Sequence, residues 1–270
     1  MREEVKWEIE EERREFLDKL YPLIREWEGQ LPNLRDIFRC QEIDWLITEE
    51  LKNPDDALSC EDDETYVIVA FVIRAGYKDE PDLDEDGKPL FRRRTTALNY
   101  ATEHGDFWPA RRLFEIYDRF DANYVNENGW THFHVACEYG LDDVVEKFLE
   151  LGQDPDCKAE ETMASNFYDP PLISALFRGH KKVAELLLTY GANPQSVSLL
   201  SYTPLHIMCL KNFDDESFEF VKLFFEINDR RQQAVSVNAK NYLDQTPLHV
   251  AVCKSSELAK FLLKRGAVRI

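Results

Sequence analysis

The sequence predicts an all-α fold, a solenoid of short helix pairs stacked one behind the next and preceded by a small N-terminal helical cap. Three observations predict it. Related hexapeptides recur, "TALNYA" from Thr96, "THFHVA" from Thr131, "PPLISA" from Pro170, "TPLHIM" from Thr203 and "TPLHVA" from Thr246, at intervals of 35, 39, 33 and 43 residues. A period in the thirties with insertions marks stacked supersecondary units. The same grammar follows the starts: a short apolar helix, a glycine nine residues in (Gly105, Gly140, Gly179), then a second amphipathic helix such as "DDVVEKFLELG" or "HKKVAELLLTYG". The first fifty residues lack this grammar yet keep helical spacing at Val5, Ile9, Phe16 and Leu20.

The N-terminal segment, residues 1–53, carries favourable i,i+4 pairs at Glu10/Arg14 and Glu15/Lys19. Pro22 and Pro32 are expected to cut it into two or three helices. Its expected role is a cap with a polar outer face; the alternative is a separate, charged partner-binding helix. A degenerate unit follows over about 54–94, with "ETYVIVAFVIRAGYKDE" as its second helix and Gly76 as the stop. "CQEIDWLITEELKN" is either that unit's first helix or a helix before it.

The recurring motifs resemble the ankyrin repeat, with "TPLHVA" and "GHKKVAELLLTYGANP" closest to its consensus. The resemblance covers roughly 54–270, with repeats starting near 96, 131, 170, 203 and 246. Several features depart from it. Asn99 and Ile173 stand where the family has the His of "TPLH". An insertion surrounds "NFDDESFEF", a long loop is expected at "NDRRQQAVSVNAKNYLD", and the fifth repeat lacks its glycine. "FLLKRGAVRI" stops right after a second helix, so Leu258, Phe261 and Leu262 are expected to lack a cover and the chain to be a fragment or an early-ending isoform. The sequence is also similar to ankyrin proteins expanded in some invertebrates and large DNA viruses. Those often end in a PRANC domain that recruits a ubiquitin ligase, a segment absent from this sequence.

Charge and composition narrow the function classes. The net charge is −19: 15 basic against 27 acidic residues up to Arg94, then 18 against 25. Neither part supplies the clustered Lys and Arg that phosphate contacts need, so no nucleic-acid partner is expected. "MREEVKWEIEEERRE" is no signal peptide, and "VIVAFVI" is too short to span a bilayer. The six cysteines form no C-x-x-C pair. The expectation is a cytoplasmic or nuclear protein without membrane contact.

Candidate chemistry is thin. "DLDEDGKPLFRR" opens like a calcium loop at Asp82, Asp84, Asp86 and Gly87, but its twelfth position is Arg93 where a bidentate Glu is needed. His134/Cys137 and His206/Cys209 each share a helix face, yet both pairs recur at one place in two repeats, which fits packing better than catalysis. No catalytic, cofactor or metal residue is expected. The resemblance implies instead that the His of Thr131/His134, Thr203/His206 and Thr246/His249 bonds its Thr and nearby backbone.

The resemblance also implies a concave partner-binding face, at positions just before each repeat start and seven and eight residues after it. Repeat one offers Thr95, Glu103 and His104, and repeat two Glu127, Asn128, Trp130, Glu138 and Tyr139. Repeat three offers Phe167, Asp169, Phe177 and Arg178; repeat four Tyr202, Leu210 and Lys211; repeat five Tyr242, Leu243, Gln245 and Lys254. The expected function is a non-enzymatic module that binds a protein. The alternative is the substrate-recognition part of a ubiquitin-ligase adaptor whose ligase-binding element lies outside this chain. An enzyme or enzyme inhibitor using the acidic loop Asp79–Asp86 is the third class.

Overall fold

A helix of seven to nine residues buries one apolar stripe and gains too little alone to persist, so each short helix here needs a partner. The computed structural model describes residues 2, 5–52, 66–81, 83–87, 89, 93–103, 107–158, 169–211 and 215–268, the side chains of Glu103, Phe107, Trp108 and Asp215 excepted. Helices dominate these residues. Contacts divide the chain into a first unit, residues 1–127, and a second, 128–270.

The first unit holds α1 (Glu10–Arg25), a 3-10 turn (Leu34–Asp36), α2 (Cys40–Lys52), α3 (Val67–Arg74), α4 (Ala97–Glu103) and α5 (Phe107–Leu113). α2 packs on α3 and α4, and α3 packs on α1 and α5. Near the N-terminus Trp7 meets Phe16, Phe38 and Trp45 edge to face, at centroid distances of 5.9, 6.4 and 5.9 Å. α1 does not break at Pro22. The missing N–H costs one bond on the exposed side, while buried Phe16, Leu17 and Ile24 anchor the helix on both sides of it. Glu50, at the end of α2, accepts from the Ile68 and Val69 amides at 2.8 and 3.0 Å and so caps α3, whose N-cap Tyr66 side chain makes no cap bond.

The second unit pairs α6 (His132–Tyr139) with α7 (Asp142–Glu150), α8 (Pro171–Arg178) with α9 (Lys181–Thr189), α10 (Pro204–Leu210) with α11 (Asp215–Arg230), and α12 (Pro247–Val252) with α13 (Ser256–Lys264). First helices stack as α6, α8, α10, α12, and second helices as α7, α9, α11. Phe133, Phe148, Leu172, Ile173, Leu187 and Phe224 fill the space between the two layers. Gly140 ends α6 in the left-handed region at φ +70, and a Cβ there would lie 2.3 Å from the His180 ring.

Two expectations about the last repeats are corrected. Residues 215–220 of the presumed insertion and Asn228–Arg230 of the presumed long loop belong to α11. Phe220, Phe224 and Phe225 are buried at helical spacing, and Phe218 and Phe225 meet Phe261 at 5.7 and 5.5 Å. Leu258 and Leu262 are fully buried, α13 packs on α12, and Phe261 meets Phe218 and Phe225 of α11, so these residues do not lack a cover.

Candidate partner-binding surface

Loops that follow one helix pair and precede the next are held in the second unit by a repeated cap. The Thr131 hydroxyl accepts from the His134 amide at 3.3 Å, and the Thr131 amide donates to His134 Nδ1 at 3.3 Å. An amide can only donate, so Nδ1 is the acceptor and the proton sits on Nε2. Nε2 then donates to the Cys157 carbonyl at 3.2 Å. Thr203 and His206 repeat this, with Nε2 reaching the Gln245 carbonyl at 3.0 Å. Thr246 and His249 repeat the cap itself. The His134 and His206 rings thus tie a helix start to backbone 23 and 39 residues on. Burial holds these rings neutral, pushing His134 down to about 4 and His206 down as well.

These ties present two hairpins of the same register. Ser198 bonds Tyr202 across one and Asn241 bonds Gln245 across the other, at 3.0 and 2.9 Å. Ser201 and Asp244 take positive φ, +56 and +59, in corresponding places. The Tyr242 amide donates to the Leu200 carbonyl at 3.2 Å, joining one hairpin to the next. At the tips Leu199, Leu200, Tyr242 and Leu243 are 60, 51, 56 and 53% exposed. Tyr202 stands behind them, its ring 5.8 Å from His206 and 6.0 Å from Tyr242. Near the ends of the first helices Phe177 and Leu210 are also exposed, with Arg178, Lys211 and Lys254 in matching positions.

Other candidates are placed differently. Trp130 is 9% exposed and stacked on His134, 6.3 Å apart, so it does not present an open contact ring. The apolar indole gains more by covering its own repeat's cap than by facing water. Glu138 is half-buried, accepts from Ser174, pairs with Arg178, and its carbonyl meets His180 Nε2 at 3.0 Å, so it fastens α6 to α8. Tyr139 and Asn128 are half-buried and Glu127 is exposed. His104, Phe167 and the Glu103 side chain lie outside the described residues.

The first unit contains a site that sequence reading missed. Arg94 donates from Nε to Asp44 at 2.8 Å and from Nη1 to Asp79 at 2.9 Å. Tyr117 donates to Asp44 and Tyr124 to Asp79. Asp79 is 1% exposed. Burial pushes the Asp44 carboxyl up although Arg94 pulls the other way, and burial works against the Arg94 charge but the two carboxylates together push Arg94 up. Above this network lies a cavity of about 680 Å³ lined by Asp44, Trp45, Thr48, Tyr100 and Tyr124 together with residues 80–81 and 93–96. The available signal was "RRR", three cations in an acidic half, one of which needed buried partners.

The remaining chemical candidates are structural in detail. Asp84 takes the Asp86 amide on its carboxylate and the Gly87 amide on its carbonyl, both at 3.0 Å, which closes a turn bridged by Leu83 and Pro89. Asp82 lies outside the described residues. Cys137 and Cys209 are fully buried; burial pushes Cys137 well up and Cys209 up to about 12, so neither is a thiolate near neutral pH. The sulfur near His134 is Cys157, at 3.8 Å, also pushed up to about 12.

Stacked helix pairs, Thr-x-x-His caps and projecting hairpins agree with a family comparison. The family model for ankyrin repeats, three copies, matches residues 57–159 and 172–269, more than half of the chain. The chain belongs to the ankyrin-repeat family. Ankyrin repeats are generally protein-protein interaction modules, and the family is typically non-enzymatic. A curated relative is the transient receptor potential cation channel subfamily A member 1 of Drosophila melanogaster, 27% identical over 200 residues. That match spans 72% of this ankyrin chain and 16% of the channel. No helix among the described residues is long and apolar enough to cross a membrane.

Proposed function

We propose that this ankyrin chain is a non-enzymatic, cytoplasmic or nuclear module that binds a protein partner on the hairpin tips and first helices of the second unit. The carrying observation is the pair of bonded hairpins that hold Leu199, Leu200, Tyr242 and Leu243 in water. Exposed apolar groups in one place mark partner surfaces, and a surface already ordered loses little entropy on binding. Tyr202, Phe177, Leu210, Arg178, Lys211 and Lys254 extend the contact, and Tyr139 and Asn128 flank it. The array is proposed to run over 54–270, extended back to Cys40 by the packing of α2, with α1 as the cap. No described residue favours a ubiquitin-ligase adaptor over other partner-binding roles.

The test is affinity capture with the full chain as bait, beside a Leu200→Ala/Tyr242→Ala/Phe177→Ala variant shown to be equally folded by circular dichroism. The reading requires a partner that the wild type retains and the variant loses. Equal capture by both places the contact elsewhere.

A further inference from the structure

The last helix pair leaves open a flank that the earlier pairs of the second unit have covered. α10 packs on α8 and α12, whereas α12 packs on α10 and on its own partner α13. Counted from each repeat start, Val252 corresponds to Cys137, Leu176 and Cys209. Those three are buried, and Val252 is 58% exposed. Counted back from Gly152, Gly191 and Gly266, Leu263 corresponds to Leu149 and Leu188. Those two are buried in α7 and α9, on which the next pair packs, and Leu263 is 36% exposed.

His249 belongs to the same flank. The Thr246 amide donates to its Nδ1 at 3.1 Å, so the proton sits on Nε2, as in His134 and His206. Those two rings donate that proton to the carbonyls of Cys157 and Gln245, in loops further along the chain. The His249 Nε2 has no acceptor among the described residues, and the ring is half-buried. Two apolar side chains at the positions of an internal interface, with an oriented donor beside them, fit a packed helix better than water.

Charge selects the kind of helix. The chain carries −19, yet residues 246–270 hold Lys254, Lys260, Lys264, Arg265 and Arg269 against Glu257 alone, net +4. Arg265 is taken by Asp229 at 2.7 Å. Lys254, Lys260 and Lys264 are exposed and pair with no carboxylate among the described residues. Lys260 and Lys264 lie one turn apart on α13, on either side of Leu263 in sequence. A local excess of cations draws an acidic partner and repels a second copy that presents the same flank. We propose that the exposed flank of α12 and α13 binds an acidic amphipathic helix of a protein partner. Its apolar stripe covers Val252 and Leu263, its carboxylates meet Lys260 and Lys264, and an oxygen at its end accepts from His249 Nε2. This is a second contact surface, apart from the hairpin tips.

The experiment uses the full chain and two fluorescein-labelled helical peptides of about 18 residues, followed by anisotropy. Both carry leucine at alternating spacings of three and four; one flanks the leucines with glutamate, the other with lysine. The glutamate peptide is expected to bind about tenfold tighter than the lysine peptide. Lys260→Glu and Leu263→Glu, at exposed side chains, should each weaken it about fivefold. His249→Asn should weaken it about threefold with the helix start intact. Asn99 already keeps such a cap in this chain, its Oδ1 taking the Thr96 amide and hydroxyl at 3.0 Å. Lys158→Glu, at an exposed cation after α7, should leave binding within about twofold. All variants are compared after circular dichroism shows them folded as the wild type. Equal binding of the two peptides overturns the proposal. So does a loss in Lys158→Glu as large as in Lys260→Glu, which assigns binding to diffuse charge. Sedimentation of the chain alone tests the other occupant. Self-association that Leu263→Glu abolishes makes the flank a contact between copies and overturns the proposal too. None of these variants touches the hairpin tips, so capture there is read independently.

Discussion

The two units solve one problem, fastening short helices together, by different chemistry. In the second unit the recurring fasteners are neutral, Thr131 with His134 and Thr203 with His206, each reaching backbone of a later loop, and the Glu138–Arg178 pair is a charged one beside them. In the first they are charged and distant: Arg94 between Asp44 and Asp79, and Glu50 on the amides of α3. Where the first unit does carry the repeat's start, Asn99 stands for histidine. Its Oδ1 takes the Thr96 amide and hydroxyl at 3.0 Å, but its Nδ2 has no partner among the described residues. The shorter amide reaches its own cap and no further. The difference teaches that a repeat which loses its histidine can be secured by buried ions, at the cost of making stability depend on each partner.

The sharpest way to break the comparison is Arg94→Ala. It leaves Asp44 and Asp79 buried without their cation and should remove about 3–5 kcal/mol from the first unit, read as a lower urea midpoint for that unit. A loss below about 1 kcal/mol would show that the network is not what secures these helices.

Acidification should separate the units by sign. His134 sits at about 4 in the fold against an ordinary 6.5, so its contribution is whole above pH 6.5 and drains away as pH falls towards 4. About 2 kcal/mol of it is gone by pH 5. Glu50 sits at about 7 against an ordinary 4.5, because burial outweighs the amides that bond it. Its charged form is the disfavoured one, so stability falls as pH rises from 4.5 to 7 and returns on acidification. Hydrogen exchange from pH 7 to 5 should show α6 amides losing protection as α3 amides gain it. Movement in one direction for both would dissolve the contrast.

Smaller effects sharpen it. Gly140→Ala should cost about 1–2 kcal/mol, since the new methyl meets the His180 ring and sits at positive φ. Thermal unfolding measures it, and loss of the His180–Glu138 bond should show in the His180 ring resonances. Thr131→Ala should cost about 1 kcal/mol through the cap alone. Leu200→Ala/Tyr242→Ala should change stability by less than about 0.5 kcal/mol, because both side chains face water, while abolishing partner capture.

Much of the second unit could be read directly from the residues. Thr-x-x-His, Pro at the first helical position of α10 and α12, and the glycine after α6 and α8 act within a few residues, and they recur. The candidate surface was legible in part. Position in the repeat located Phe177, Leu210 and Tyr202, but exposure could not be read from position, and Trp130 turned inward onto His134. Leu199 and Leu200 lay just outside the places that the repeat register marks, although their hairpin copies that of Tyr242 and Leu243.

The sequence by itself determined the repeat period, the helix pairs and the caps, because each rests on hydrogen bonds and apolar spacing within a few residues. Only the tertiary structure decided that α1 runs through Pro22, that α11 takes in residues 215–220 of the expected insertion and meets Phe261, and that Asp44, Asp79 and Arg94 meet beneath a cavity. Asp44 lies 50 residues from Arg94 and 73 from Tyr117. Nothing local favours one such pairing over another. Burial does, because an ion taken out of water is stable only where the fold has already placed its partner.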